Sequence, residues 1–275
     1  MTKWAVILGA SSGAGAAIAQ QVAKDPGLKV FGVHRGRYQS GADEVCAKIQ
    51  DAGGQVLMRV ADAAIAAGAA EGAEALLKKA GPKSVKLFVH AIASASVGRF
   101  LDPEGADLVP RQFEKTFDAM AHSFVYWVQA LYRRDLLAPG ACILGLTNPL
   151  GESTLNNSGL ISSAKAALQM YVRHLAMELG PEGHRVNLLK YGTVITPALK
   201  HVFDEEAIRD VKRVHAQMIP AGRLVTLDEV AGFVSVLCSE RGAWFNGASI
   251  DFTGGMTNHL LDLLINPRDE DPGAP

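Results

Sequence analysis

Gly9-Ala10-Ser11-Ser12-Gly13-Ala14-Gly15 is the stretch that decides the fold. It follows a short apolar run, residues 4–8, and opens a helical stretch near residues 14–24 in which Ile18 and Val22 lie one turn apart. Glycines between a strand and a helix let backbone approach a pyrophosphate, which the N–H groups of the helix N-terminus then hold. An empty, merely flexible glycine loop is the alternative, and the strand before and helix after argue against it.

The same alternation continues outward from the turn. Residues 29–33, 55–59, 85–89, 142–146, 185–189 and 249–252 read as further strands, with helices near 41–51, 65–80, 111–135, 159–180 and 226–239. Short runs apolar on both faces, joined by crossover helices, require a parallel sheet covered on both sides. The expectation is a doubly wound α/β Rossmann fold with a seven-stranded, mainly parallel sheet in a single domain, residues 1–265. Residues 196–220, with a charged helical piece at 204–217, fit a substrate lid. Residues 266–275, rich in Asp, Glu and Pro, read as a disordered tail.

Composition narrows the partners. Hydrophobic residues make up 48% of the 275, enough for one sizeable core, and the formal net charge is −1. So balanced a chain offers no field for nucleic acid or an anionic membrane, which leaves a small molecule. Cys46, Cys142 and Cys238 are scattered and odd in number, so neither disulfides nor a metal site is expected. No secretory leader or membrane-length apolar run is visible, and the sequence reads as cytoplasmic.

Cofactor choice is set where the second strand ends, and there the chain reads Val33-His34-Arg35-Gly36-Arg37. A carboxylate at this place would bind ribose hydroxyls and repel a 2′-phosphate. Two guanidinium groups instead favour phosphate, so NADP(H) is the expected cofactor, with a merely solvated Arg35 and Arg37 as the alternative.

The glycine spacing, Asp62 after the third strand, Lys165, Pro181-Glu182-Gly183-His184-Arg185-Val186-Asn187 and Asp251-Phe252-Thr253-Gly254-Gly255 together resemble the short-chain dehydrogenase/reductase family along nearly the whole chain. Within it, Val89-His90-Ala91-Ile92-Ala93 and Met177-Glu178-Leu179-Gly180-Pro181-Glu182-Gly183 look most like the enoyl-acyl-carrier-protein reductase branch. The resemblance implies that Gly9, Ser11, Ser12, Gly13, Ala14, Gly15, Arg35, Arg37, Asp62, His90, Ala91, Lys165, Gly192, Val194 and Thr196 bind the cofactor. It also implies hydride transfer to an enone, enoyl thioester or carbonyl of a lipid or polyketide-like substrate, which a carrier could present.

The family's site normally holds a tyrosine four residues before its lysine, and that position is Ile161. The family serine falls on Asn148 and the asparagine at about Met120. In the enoyl-reductase register the tyrosine falls on Ser158. Tyr191, in Leu189-Lys190-Tyr191-Gly192, stands where the family has proline. Beside Lys190 and near Lys165, its phenolate form is expected to be favoured, which would suit a general acid. Asn148 and Ser158 are expected to be hydrogen-bond donors, completing a catalytic set of Tyr191, Asn148, Lys165 and Ser158. A packing role for Tyr191 is the alternative.

Two other functions stay open: a cofactor-binding protein without turnover, and non-redox chemistry on the same fold. The apolar stretches 113–136 and 160–179 occupy the places where family members pair helices, so a homotetramer or homodimer is expected. Leu260-Leu261-Asp262-Leu263-Leu264-Ile265 would cover a neighbouring subunit or the pocket.

Overall fold

The computed structural model describes residues 2–152, 154–196 and 204–257. Seven strands form one sheet: β1 (Lys3–Leu8), β2 (Leu28–His34), β3 (Val56–Val60), β4 (Val85–His90), β5 (Leu137–Thr147), β6 (Arg185–Tyr191) and β7 (Ser249–Phe252). All pairings are parallel, in the order β3-β2-β1-β4-β5-β6-β7. Strand order therefore reverses between β1 and β4, the switch point where doubly wound sheets open a ligand crevice.

The helices are α1 (Gly13–Val22), α2 (Gln39–Asp51), α3 (Ala66–Ala80), α4 (Pro110–Phe117), α5 (Ser123–Tyr132), α6 (Gly159–Leu179), α7 (Glu205–Met218) and α8 (Leu227–Cys238). Strand β1 shows why both faces must be covered. Trp4, Val6 and Leu8 enter one core cluster with α5 and α6, while Ala5 and Ile7 enter the other with α1 and α8. Each fully buried Ile or Leu is worth about 1.5–3 kcal/mol relative to exposure, so neither helical layer is dispensable.

The stretch expected as one helix over 111–135 is broken by a π-helical turn at Asp118–His122. Ser123 Oγ donates to the Ala119 carbonyl at 3.0 Å and accepts from His90 at 2.8 Å, which competes with the regular ladder. The fifth strand runs longer than expected, from Leu137 to Thr147. Trp127 fills the space over Gly72, where an added Cβ would meet its ring at 2.3 Å, and its Nε1 donates to the Ala63 carbonyl at 3.0 Å. That bond ties α5 to the loop after β3, which carries Asp62.

The charged piece expected at 204–217 is α7, Glu205–Met218. Residues 197–203, part of the expected lid, lie outside the described residues, as do the 260–265 segment and the 266–275 tail. Among the described residues, no helix is long and apolar enough to cross a membrane, and no His/Cys/Asp/Glu group could hold a metal ion.

Candidate active site

The crevice forms where β1 and β4 part. Gly9 takes φ +80°, its N–H donates to the Val33 carbonyl at 2.9 Å, and an added Cβ would sit 2.7 Å from the Ala91 carbonyl oxygen. Gly15 is more confined, since its Cβ would meet the Gly9 carbonyl oxygen at 2.3 Å. Only hydrogen fits at either place, so the turn folds onto itself and onto β4. Ser12 caps α1 in extended conformation without a side-chain cap bond, leaving the first-turn N–H groups for an anion.

A cavity of about 300 Å³ runs from this turn past β2 and β3. Gly9, Ser11, Ser12, Gly13, Ala14, Arg35, Arg37, Asp62, Ala91 and Thr196 all line it, as do Tyr38, Ala119 and Tyr191. One wall thus carries a helix N-terminus and another two exposed guanidinium groups, with Arg35 reaching Ser94 Oγ at 3.3 Å. Asp62 accepts from the Ala64 N–H at 3.1 Å, which shapes the loop below. A close-packed glycine cradle, free helix donors and two cations fit an anionic dinucleotide.

Other expected cofactor contacts fall elsewhere. His90 is fully buried beneath the cavity. Because Ser123 gives its one proton to Ala119, His90 must carry its own on Nε2, which leaves Nδ1 a buried acceptor without a partner among the described residues. Burial, with the charge of Lys165, pushes its pKa down to about 3, so the ring is neutral. It acts on the crevice through Ala119, whose carbonyl it pins by way of Ser123. Gly192 packs toward Thr253, and Val194 lines a separate depression of about 480 Å³ beside α7 and α8.

Lys165, on α6, is buried, and its Nζ donates to the Leu146 carbonyl at 2.8 Å. Desolvation lowers its pKa to about 8. A short 3₁₀ turn, Pro149–Gly151, packs on the base of its side chain: a Cβ on Gly151 would be 3.2 Å from that of Lys165. Asn148 begins this turn, its carbonyl accepting from the Gly151 N–H at 3.3 Å.

Two expectations are corrected. Tyr191 does line the cavity, but no cation among the described residues favours its phenolate: burial raises its pKa. Lys190 faces the other side of the sheet, paired with Glu152 at 2.7 Å and Asp251 at 3.1 Å. Ser158 is also not a free donor, because its hydroxyl donates to the Leu155 carbonyl at 2.7 Å in the turn that starts α6. Tyr38 and Glu152 were missed. Tyr38 follows Arg37 directly and was within reach of the sequence, whereas nothing near Glu152 advertises a partner 38 residues away.

A family model described as Enoyl-(Acyl carrier protein) reductase matches residues 9–257. The chain belongs to that family. That family is of the short-chain dehydrogenase/reductase type, whose oxidoreductases use a nicotinamide cofactor. Over 181 residues it is 32% identical to the enoyl-(acyl-carrier-protein) reductase (NADH) of Escherichia coli (strain K12), covering 64% of this chain and 66% of that protein. The chain thus spans just under two thirds of that relative's length. An uncharacterized oxidoreductase of Methylorubrum extorquens is 30% identical over 254 residues, covering 92% of this chain and 97% of its own. The L-sorbose reductase of Gluconobacter frateurii, solved in complex with NADPH and L-sorbose, superposes with a TM-score of 0.80 at 25% identity, covering 94% of this chain and 98% of its own.

Proposed function

We propose that this family member is an NADP(H)-dependent reductase acting on an enone, enoyl thioester or carbonyl of a lipid or polyketide-like substrate, with Tyr191 in place of the family tyrosine. The observation that carries the reading is that one cavity has Arg35, Arg37 and Tyr191 together in its lining. The Escherichia coli relative is an NADH enzyme, and the two guanidinium groups are the reason to assign the phosphorylated cofactor here. Bound NADPH would supply the hydride.

The chain's own groups then do the rest. The glycine turn and the α1 N-terminus fix the pyrophosphate, and positioning of this kind supplies roughly 7–11 kcal/mol of a barrier in favourable cases. Negative charge develops on the substrate carbonyl oxygen as its carbon, or the carbon conjugated to it, accepts hydride. A Tyr191 whose pKa is raised stays protonated at neutral pH and donates a hydrogen bond to that oxygen, with Asn148 as a second, neutral donor. Lys165 holds the ribose hydroxyls. The missing phenols at Ile161 and Ser158 make the site atypical, and losing one general acid typically costs only about 10²–10⁴-fold.

The test is a titration followed by turnover. NADPH, read by fluorescence, should bind at least about tenfold more tightly than NADH, and Arg35→Ala with Arg37→Ala should erase that preference. Tyr191→Phe should then lower turnover of an accepted enoyl thioester or ketone about 10²-fold or more while leaving the NADPH Kd in place. Full activity in Tyr191→Phe would end the surrogate role, and an equal Kd for both cofactors would end the NADP(H) assignment.

A further inference from the structure

Lys190 is the best-paired buried cation among the described residues, and the reading above does not use it. It stands at the end of β6, in register with Thr147 on β5 and Asp251 on β7, with its side chain 7% exposed. Its Nζ meets Glu152 Oε2 at 2.7 Å and Asp251 Oδ2 at 3.1 Å. Burial works against the charge, but the hydrogen bonds that Nζ donates to the two carboxylates, with their negative charges, outweigh it and raise the Lys190 pKa. Asp251 is also held by the Thr253 N–H at 3.1 Å, so one carboxylate suffices to pair the lysine within the sheet. Among the described residues, the Glu152 carboxylate is bonded to Lys190 alone. Glu152 ends the turn that leaves β5 at Asn148 and packs on the base of the Lys165 side chain through Gly151.

We propose that Glu152, anchored by Lys190, is a positioning residue that seats the 148–152 turn on Lys165 and keeps that lysine dry. The role rests on reading Lys165 as the cation beside the nicotinamide ribose, and it extends that reading to a residue with no counterpart in the family pattern set out above. Without the anchor, the turn keeps its Asn148 hydrogen bond and its packing on α6 but loses the ion pair that fastens its far end, and water reaches the Lys165 ammonium. A hydrated ammonium regains its ordinary affinity for protons. Of the titratable groups near Lys165, His90 on β4 couples to it and is already neutral, while Lys190 is engaged by Glu152 and Asp251 together.

The test uses the full chain without cofactor. Trace acetylation with acetic anhydride across pH, read on the Lys165 peptide by mass spectrometry, gives that amine's titration midpoint. The wild-type midpoint should lie near 8. In Glu152→Gln it should rise by at least about one unit, a tenfold loss of free amine at pH 7. Asp251→Asn, which cuts the other arm of the same ion pair, should lower thermal stability yet leave the midpoint alone. Glu152→Gln keeps Lys190 paired with Asp251, so the fold should survive, as circular dichroism will show. An unchanged midpoint in Glu152→Gln, or an equal rise in Asp251→Asn, would overturn the proposal. Because no turnover is measured, the outcome is independent of whether the chain reduces any offered enone or ketone.

Discussion

Gly9 and Gly53 form a natural pair for isolating what the glycine turn does. Both have φ +80°, but an added Cβ at Gly9 would lie 2.7 Å from the Ala91 carbonyl oxygen, whereas at Gly53 it would meet nothing within 4 Å. Alanine in the left-handed region costs about 1–2 kcal/mol at either site. The loss of unfolded-chain entropy on replacing glycine, about 0.4–1 kcal/mol in the opposite sense, is also common to both. Gly9→Ala alone must push the β1 and β4 ends apart by several tenths of an ångström, an overpacking cost of about 1–3 kcal/mol. That difference corresponds to a further fall in Tm of at least about 2 °C in a domain of this size. The same displacement moves the α1 N-terminus off the pyrophosphate, so the NADPH Kd should rise about tenfold or more in Gly9→Ala and stay put in Gly53→Ala. Thermal unfolding by circular dichroism and fluorescence titration read the two effects. Equal losses of Tm together with equal Kd values would refute the claim that close backbone approach is what this glycine provides.

Two further outcomes follow from burial. The Lys165 pKa is about 8 in the folded chain against an ordinary 10.5, so between those values the unfolded state binds more protons and stability rises with pH. The full span amounts to about 3 kcal/mol, which the folded state forgoes below pH 8. Lys165→Met should therefore lack the rise between pH 8 and 10.5 in urea midpoints and, even with the Leu146 carbonyl orphaned, should be no less stable at pH 7; parallel pH profiles for the two proteins would count against this. Assembly is read at the outer face of α5 and α6, where Met170 is 47% and Met177 67% exposed beside a depression lined by Tyr126 and Tyr171. We expect a homotetramer or homodimer through this face in sedimentation equilibrium, shifted toward monomer by Met177→Glu, and a monomeric wild type would remove the expectation.

Periodicity and turn chemistry made most of the scaffold legible. Seven short runs apolar on both faces required a covered parallel sheet, and Gly9-Ala10-Ser11-Ser12-Gly13-Ala14-Gly15 marked the switch point, because local spacing alone decides whether backbone can reach a phosphate. The π-helical turn was not legible, since it depends on a histidine of β4 meeting Ser123 across 33 positions of chain. Ser158 was misread for a related reason: the hydroxyl was visible in the sequence, but the turn that takes its proton was not.

Lys190 and Tyr191 are neighbours in the chain but not in the fold. Adjacency in the chain suggested that the ammonium would tune the phenol, yet successive residues of a strand point to opposite faces. Leu188 and Lys190 share the α6 side of the sheet, whereas Leu189 and Tyr191 share the α1 side. The same geometry that separates the two gives each a distinct role. Tyr191 lines the cavity as a neutral phenol, and Lys190 gathers two carboxylates behind it. Lys165 thus lies under a turn whose far end is fastened by an ion pair. The chemistry proposed for Tyr191 and the dry setting proposed for Lys165 therefore depend on one strand end, and a substitution that shifted the end of β6 should disturb both together.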